Sequence, residues 1–329
     1  MEGSRSALSL RGAPSSVERS WRTKCFMWLL HDWQPRLSVN ALMLVLVNSG
    51  ILCLALGIAA LVASDSVVEV IQRYDDNVAC STNGACTVPI TIPDDMAAPV
   101  YFYYRLTKYG QNSRRYVKSR SDSQLQGQEL TTDDEIDECD PRSSTSDDKV
   151  QYPCGLIAYT FFNDEFNITL QNGDTLSGEN WSAGDIAWPS DVNKKFVARS
   201  VQSSESRTIE RDGETLTLPS LDDQGLMVWM RPAALPDFRK LYRIIHGTSF
   251  TKSQVINVNI DNNFVSSQDG QKFVVLSTAS WLGGKSSFIG IVYVVGAALL
   301  FITALGIFLV NKFVPAKRRT DGNTQPRHL

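Results

Sequence analysis

Histidine is scarce in this chain: there are three in 329 residues, and only His246 lies between the two long apolar runs. A zinc site of the usual His-rich kind therefore lacks ligands in that region. Also missing are an HExxH helix, a GxSxG elbow and a phosphate-cradling glycine loop, the patterns that would mark a metalloprotease, an α/β-hydrolase or a nucleotide site. Paired carboxylates can be picked from any acidic chain, and without a fold that sets two of them at hydrolase separation the choice has no force. No catalytic residue, cofactor-binding residue or metal ligand can be nominated, so the expected role is not enzymatic.

Charge is absent altogether from two stretches. Val39 to Ala63 (25 residues) and Phe288 to Val310 (23 residues) carry no ionised side chain, against the ~20 residues a helix needs to cross a hydrocarbon core. Neither shows the polar face of a soluble core helix, so both are expected to span a membrane. The first begins too far from Met1 and runs too long for a cleaved signal peptide, and Asp65 follows where a small-residue cleavage site would sit; it reads as a retained signal anchor. Polar side chains inside the spans are limited to Asn40, Asn48, Ser49, Thr303, the Tyr293 hydroxyl and the Cys53 thiol. Two helices so poor in polar groups offer no substitute for lost hydration, which excludes a transporter built from this chain alone. Small residues recur at helical spacing, Ser49, Cys53 and Gly57 on one helix and Gly296, Thr303 and Gly306 on the other, as at faces where membrane helices approach closely.

The charges that exist are unevenly placed. Residues 1–38 hold six Lys/Arg and three acids, residues 311–329 five and one, and residues 64–287 hold 21 against 31. Arg19, Arg22, Lys24 and Arg36 before the first span, and Lys312, Lys317, Arg318 and Arg319 after the second, put both termini in the cytosol. The expected division is a cytosolic tail (1–38), a transmembrane helix (39–63), a luminal or extracellular domain (64–287), a second transmembrane helix (288–310) and a cytosolic tail (311–329). The middle region then lies in a disulfide-permissive compartment, and it holds four of the six cysteines (Cys80, Cys86, Cys139, Cys154) and two glycosylation sequons, at Asn167 and Asn180. Four cysteines permit three pairings, among which adjacent pairing closes the shortest loops. Closing the 15 residues from Cys139 to Cys154 corresponds to ~3 kcal/mol of loop entropy. Cys25 and Cys53 are expected to stay reduced.

With no internal repeat or low-complexity linker, one compact domain is expected between the spans. Its β-rich runs are Val100 to Leu106, Leu156 to Phe162, Val255 to Ile260 and Phe273 to Thr278, set apart by turn pairs such as Asp212-Gly213, Asn172-Gly173 and Asp269-Gly270. Polar and apolar residues alternate over Gln254 to Ile260, as a sheet with one wet face requires, and a long sheet that must split favours a sandwich. Helix is expected to be sparse, around Leu235 to Tyr242. Arg105 to Arg120 carries six basic residues, no acid, and Tyr109 and Tyr116; the compartment argues against nucleic acid as its partner. Asp133 to Asp148 holds eight carboxylates without the ligand spacing of a calcium loop and reads as a solvated acidic loop, drawn to the basic segment by opposite sign alone. Trp181, Trp188, Trp229 and Trp281 are expected in the core.

Specific strings go further than composition. Tyr103 to Gly127, Pro153 to Asp164, Asp185 to Phe196, Trp229 to Tyr242 and Val275 to Gly290, in that order, with the Trp33-Gln34-Pro35 approach to the first span, resemble the hallmark segments of the cell-division-cycle-protein-fifty or ligand-effect-modulator family. Its members are the non-catalytic β-subunits of type IV P-type ATPases, which flip phospholipids. The resemblance implies two transmembrane α-helices flanking a mainly antiparallel β-sandwich ectodomain, adjacent disulfides, and glycosylation for which Asn167 is the better positional match. It implies a heterodimer with an ATPase catalytic subunit in the lipid membrane, a chaperone role in export from the endoplasmic reticulum, passage to Golgi, endosomal or plasma membrane, and no cofactor, since ATP and lipid sites belong to the partner. Candidate contacts are Trp33, Gln34 and Pro35, the luminal Arg105, Arg114, Arg115, Lys118 and Arg120, and Gly296, Thr303 and Gly306 in the membrane. Pairing of several of these cations within the domain is the competing reading for them. For the whole chain it is a free-standing receptor or glycan-binding module with tryptophan stacking faces.

Overall fold

The computed structural model describes residues 38–76, 80, 84–145, 147–211, 213–266 and 269–313. Contacts divide the chain into two units, one of residues up to Leu56 with those from Tyr293 onward, the other Gly57–Val292.

The apolar runs form the two long helices, Val39–Asp65 (27 residues) and Phe288–Phe313 (26 residues). At 1.5 Å per residue each is about 40 Å long, enough to cross ~30 Å of hydrocarbon. Only 17% of the most apolar window of each is buried, whereas a soluble core helix would be mostly covered. Polar side chains turn back onto their own helix: Asn48 Nδ2 donates to the Leu44 carbonyl at 2.8 Å and Thr303 Oγ1 to the Leu299 carbonyl at 2.7 Å. In the first unit, a Cβ added at Gly50 would lie 2.8 Å from the Phe301 ring, so the close approach of the helices there depends on a glycine that the expected Ser49, Cys53, Gly57 stripe leaves out. Gly290, Ala297 and Ala304 recur every seven residues as the buried positions of the second helix.

The strands in chain order are β1 Glu69–Arg73, β2 Gly84–Thr91, β3 Val100–Leu106, β4 Val150–Gln151, β5 Glu165–Thr169, β6 Glu205–Ser206, β7 Thr208–Arg211, β8 Glu214–Thr217, β9 Phe238–Ile245, β10 Val255–Asn262 and β11 Lys272–Ser277. One antiparallel sheet runs β1-β11-β3-β9 and a second β2-β10-β5; β7 and β8 form a hairpin, and β4 and β6 a short parallel pair. Alternation fixes the register. In β3 the residues Phe102, Tyr104 and Leu106 are buried while Tyr101, Tyr103 and Arg105 are half-exposed, and in β10 Ile256, Val258 and Ile260 point inward, with Val258 opposite Val88 on one side and Ile168 on the other. A one-residue slip would turn each apolar row to solvent. The inner faces share one core, in which Phe102 of the first sheet meets Phe166 of the second at 5.4 Å between ring centroids. This is the antiparallel sandwich.

Two expectations fail here. Leu156–Tyr159 is a single helical turn, not a strand: Gly155, at φ +102°, turns the chain sharply after Cys154, and Thr160 Oγ1 caps the Leu156 carbonyl at 2.9 Å. Leu235 to Tyr242 contains strand instead of helix, because β9 is needed as the neighbour of β3 and Pro236 stands just before it. The helix lies earlier, at Gln224–Met230, where Asp223 Oδ1 accepts the Leu226 N–H at 2.9 Å. Its C-terminal carbonyls are satisfied from β9: Lys240 Nζ donates to the Val228, Trp229 and Arg231 carbonyls at 3.0, 2.8 and 2.8 Å. Burial pulls the Lys240 pKa down, to about 7, and the three carbonyls oppose that pull.

A second buried cation ties the sheets to the first disulfide. Lys272 on β11 donates to Asp164 Oδ2 at 2.9 Å, to the Phe264 carbonyl at 2.6 Å and to Asn262 Oδ1, while Tyr74 OH donates to the same Asp164 oxygen at 2.6 Å. Asn262 Nδ2 in turn donates to the Cys80 carbonyl at 2.7 Å. The side chains of Lys272 and Asp164 are 4% and 0% exposed, so neither charge has water to turn to.

Candidate partner-binding surfaces

The sulfurs of Cys80 and Cys86 are joined, as are those of Cys139 and Cys154, with Cα separations of 5.1 and 5.6 Å; Cys53 is free. Cys25, the Trp33-Gln34-Pro35 approach and both basic tails lie outside the described residues.

Around the second disulfide the basic and acidic segments meet. Ser119 Oγ donates to the Cys139 carbonyl and accepts the Leu156 N–H, both at 2.8 Å, and Gln124 Oε1 accepts the Cys154 N–H at 2.8 Å. A Cβ at Gly155 would sit 2.1 Å from the Ser119 carbonyl oxygen, which makes the glycine obligatory there. The result is a cleft of about 760 Å³ with Arg115, Lys118 and Arg120 on one wall and Asp137, Glu138 and Asp140 on the other. The acidic segment opens with a short helix, Asp133–Asp137, closed by a reciprocal Thr132 and Glu135 cap. Among the described residues no cluster of three His, Cys, Asp or Glu is placed to hold a cation.

The five candidate cations separate by environment. Arg120 pairs with Asp122 at 3.1 Å, and Arg105 lies over the Phe273 ring at 5.5 Å. Arg114, Arg115 and Lys118 lie on one helical turn, are exposed, and have no ion-pair partner among the described residues. That turn is held by Ser113, whose hydroxyl accepts the Tyr116 N–H, and by Tyr116, buried against Thr160 at 2.8 Å. The preceding residues are zipped to the segment before β9: Tyr109 N–H donates to the Pro236 carbonyl at 3.0 Å, Asn112 Nδ2 to the Ala234 carbonyl at 3.1 Å, and Ala233 N–H to Gln111 Oε1 at 2.9 Å. Leu235 in that segment is 68% exposed. Sequence reasoning missed it because an isolated leucine carries no surface signal.

The tryptophans also divide. Trp229 is fully buried, donating to the Ile157 carbonyl at 2.8 Å, and Trp181 packs on Phe102 at 5.1 Å. Trp188 and Trp281 are 64% and 78% exposed, contrary to the core expectation. Trp188 is covered on one face by the Arg231 guanidinium, which is fixed by Asp191. Hydrogen bonding to Asp191 raises the Arg231 pKa further above its ordinary value, so the cation over the ring is permanent. Of the sequon asparagines, Asn167 on β5 is exposed, while Asn180 is half-buried with Oδ1 against Gly247. In the membrane unit, Gly296 and Gly306 have open space where a Cβ would be, and Thr303 and Gly306 line an apolar groove with Val39, Ile307, Val310 and Asn311.

Two membrane-length helices that flank in sequence a disulfide-bonded antiparallel sandwich, with unpaired cations and exposed apolar residues on its surface, define a two-span membrane-anchored ectodomain protein. Residues 47–318 match the model of the "LEM3 (ligand-effect modulator 3) family / CDC50 family", and the chain belongs to that family. It is 36% identical to "ALA-interacting subunit 3" of Arabidopsis thaliana over 82% of this chain and 80% of the relative. It is also 31% identical to "Cell cycle control protein 50A" of Mus musculus over 95% and 93%, and 29% identical to "Cell cycle control protein 50B" of Homo sapiens over 85% and 90%.

Proposed function

We propose that this chain is the non-catalytic accessory subunit and chaperone of a type IV P-type ATPase, required for its export from the endoplasmic reticulum and for ATP-driven movement of phospholipid from the exoplasmic to the cytosolic leaflet. The observation that carries the reading is the family match, which runs from within the first helix through the whole ectodomain and the second helix, together with relatives named as interacting subunits. In this reading both termini are cytosolic, the complex is a heterodimer, and ATP hydrolysis and the path of the transported lipid reside in the partner. A chain without catalytic machinery acts by differential binding: ordering the partner's loops in one state stabilises that state by the difference in binding free energy and no more. Arg114, Arg115 and Lys118, with the exposed Leu235 of the segment zipped to residues 109–112, are the proposed ectodomain contacts, suited to acidic partner loops. Arg105 and Arg120 are the weaker nominees, because each already has a partner within the domain.

Capture of the full chain from native membranes in mild detergent tests this. A P-type ATPase should accompany it in comparable amount; its absence would favour a free-standing receptor or glycan-binding module. Arg114→Glu with Arg115→Glu should lower ATPase recovery while glycosylation and folding are unchanged, and equal recovery would remove these residues from the interface.

A further inference from the structure

At the ectodomain-side ends of the two long helices lies an open pocket of about 700 Å³ lined by Leu61, Val62, Ser64, Asp65, Lys285, Ser286, Ser287 and Phe288, a size typical of small-molecule sites. Gly290 leaves room for the lining residue Leu61: an added Cβ there would lie 2.6 Å from Leu61 Cγ. The pocket walls are braced by the Ser286 N–H donating to Ser64 Oγ at 3.0 Å. We propose that this pocket binds the head group of a zwitterionic phospholipid, phosphatidylethanolamine in type, from the leaflet facing the ectodomain.

Three features carry this assignment. First, the lining divides as a lipid does. Leu61, Val62 and Phe288 belong to the charge-free runs, and Val62 and Phe288 are 65% and 72% exposed, which suits acyl chains and not water. Immediately beyond them come serines and the first ionised groups on either side, Asp65 and Lys285. Spanning helices put that boundary at head-group depth, and Trp281, exposed four residues before Lys285, is of the type enriched there. Second, Asp65 and Lys285 are both exposed and have no ion-pair partner among the described residues, although they share one pocket. A single cation for a phosphate and a single carboxylate for an ammonium match a zwitterion; an anionic head group would meet Asp65 with like charge. Third, Ser286 and Ser287, both exposed and both lining the pocket next to Lys285, supply neutral hydroxyls beside the charges. The site rests on the membrane-spanning helices and not on the ATPase partnership, so either can fail without the other.

The test uses the full chain in phosphatidylcholine nanodiscs doped with a phosphatidylethanolamine that carries a photoreactive group near the glycerol. Cross-links mapped by mass spectrometry should concentrate on residues 57–65 and 285–292. They should fall at least fivefold in Lys285→Glu and in Asp65→Lys, both exposed positions, with the thermal melt unchanged. A diacylglycerol probe with the same photoreactive chain should label without dependence on residue 285. Labelling that is equal in wild type and both variants, or identical for the two probes, overturns the proposal.

Discussion

Replacing Lys272 by Met removes the cation from the buried cluster and leaves the Asp164 carboxylate, 0% exposed, with Tyr74 OH and the Phe264 N–H as its donors among the described residues. An unpaired charge at such a site costs about 3–5 kcal/mol. At roughly 2–4 °C per kcal/mol for a domain of this size, the melting temperature should fall by about 6–20 °C. Asp164→Leu alone should be similarly costly, because it strands the ammonium among carbonyls. The double variant is the decisive arm: with both charges gone no unpaired charge remains, only the neutral Tyr74, Asn262 and Phe264 polar groups that had bonded to them, so it should cost far less than the sum of the single changes. Intrinsic-fluorescence melts of the full chain in detergent read all four proteins. Additive losses, or a shift below about 2 °C in either single variant, would refute the view that this ion pair joins the end of β1, β10 and β11 as one unit.

Gly155→Ala should destabilise the ectodomain by about 3 kcal/mol or more, from positive-φ strain plus a collision with the Ser119 carbonyl; loss of folded, disulfide-bonded protein on non-reducing gels would report it. Burial raises the pKa of Tyr74, Tyr104 and Tyr116 above the ordinary value of 10.0. The neutral phenols therefore contribute stability that is whole below about pH 10 and drains as pH rises toward the folded-state values. Absorbance titration should show these rings ionising only together with unfolding. Asn167→Gln should remove a glycan, while Asn180→Gln should change electrophoretic mobility little, because the Asn180 amide is packed against Gly247.

The parts of this fold that were legible in sequence are those governed by simple periodicity. Val100 to Leu106 and Val255 to Ile260 alternate because one face of each strand meets a shared core, and the spans are visible because lipid tolerates no charge. Leu156 to Phe162 misled because a β-rich composition is overruled by the turn at Gly155, and Leu235 to Tyr242 because helix propensity yields to the sheet edge that β3 requires. The helix at Gln224–Met230 did carry a signal, an Asp cap before an apolar run, whereas exposure of Trp188 and Trp281 carried none. For the candidate surface, sequence supplied the cations but not their environments: Arg120 pairs with its near neighbour Asp122, while Arg114 and Arg115, on the turn just before, have no ion-pair partner among the described residues, and charge spacing alone does not separate the two cases. The meeting of basic and acidic segments at one cleft follows from the second disulfide and the Ser119 hydrogen bonds that hold it.

The central claim is that an ATP-driven lipid pump works only with this chain attached. Liposomes reconstituted with the co-purified catalytic subunit, with and without the chain, and scored for inward movement of labelled phospholipid on ATP addition, test it most directly. Transport should require both proteins, and neither should move lipid alone; full transport by the catalytic subunit alone, or ATP-fuelled transport by this chain alone, would contradict the account.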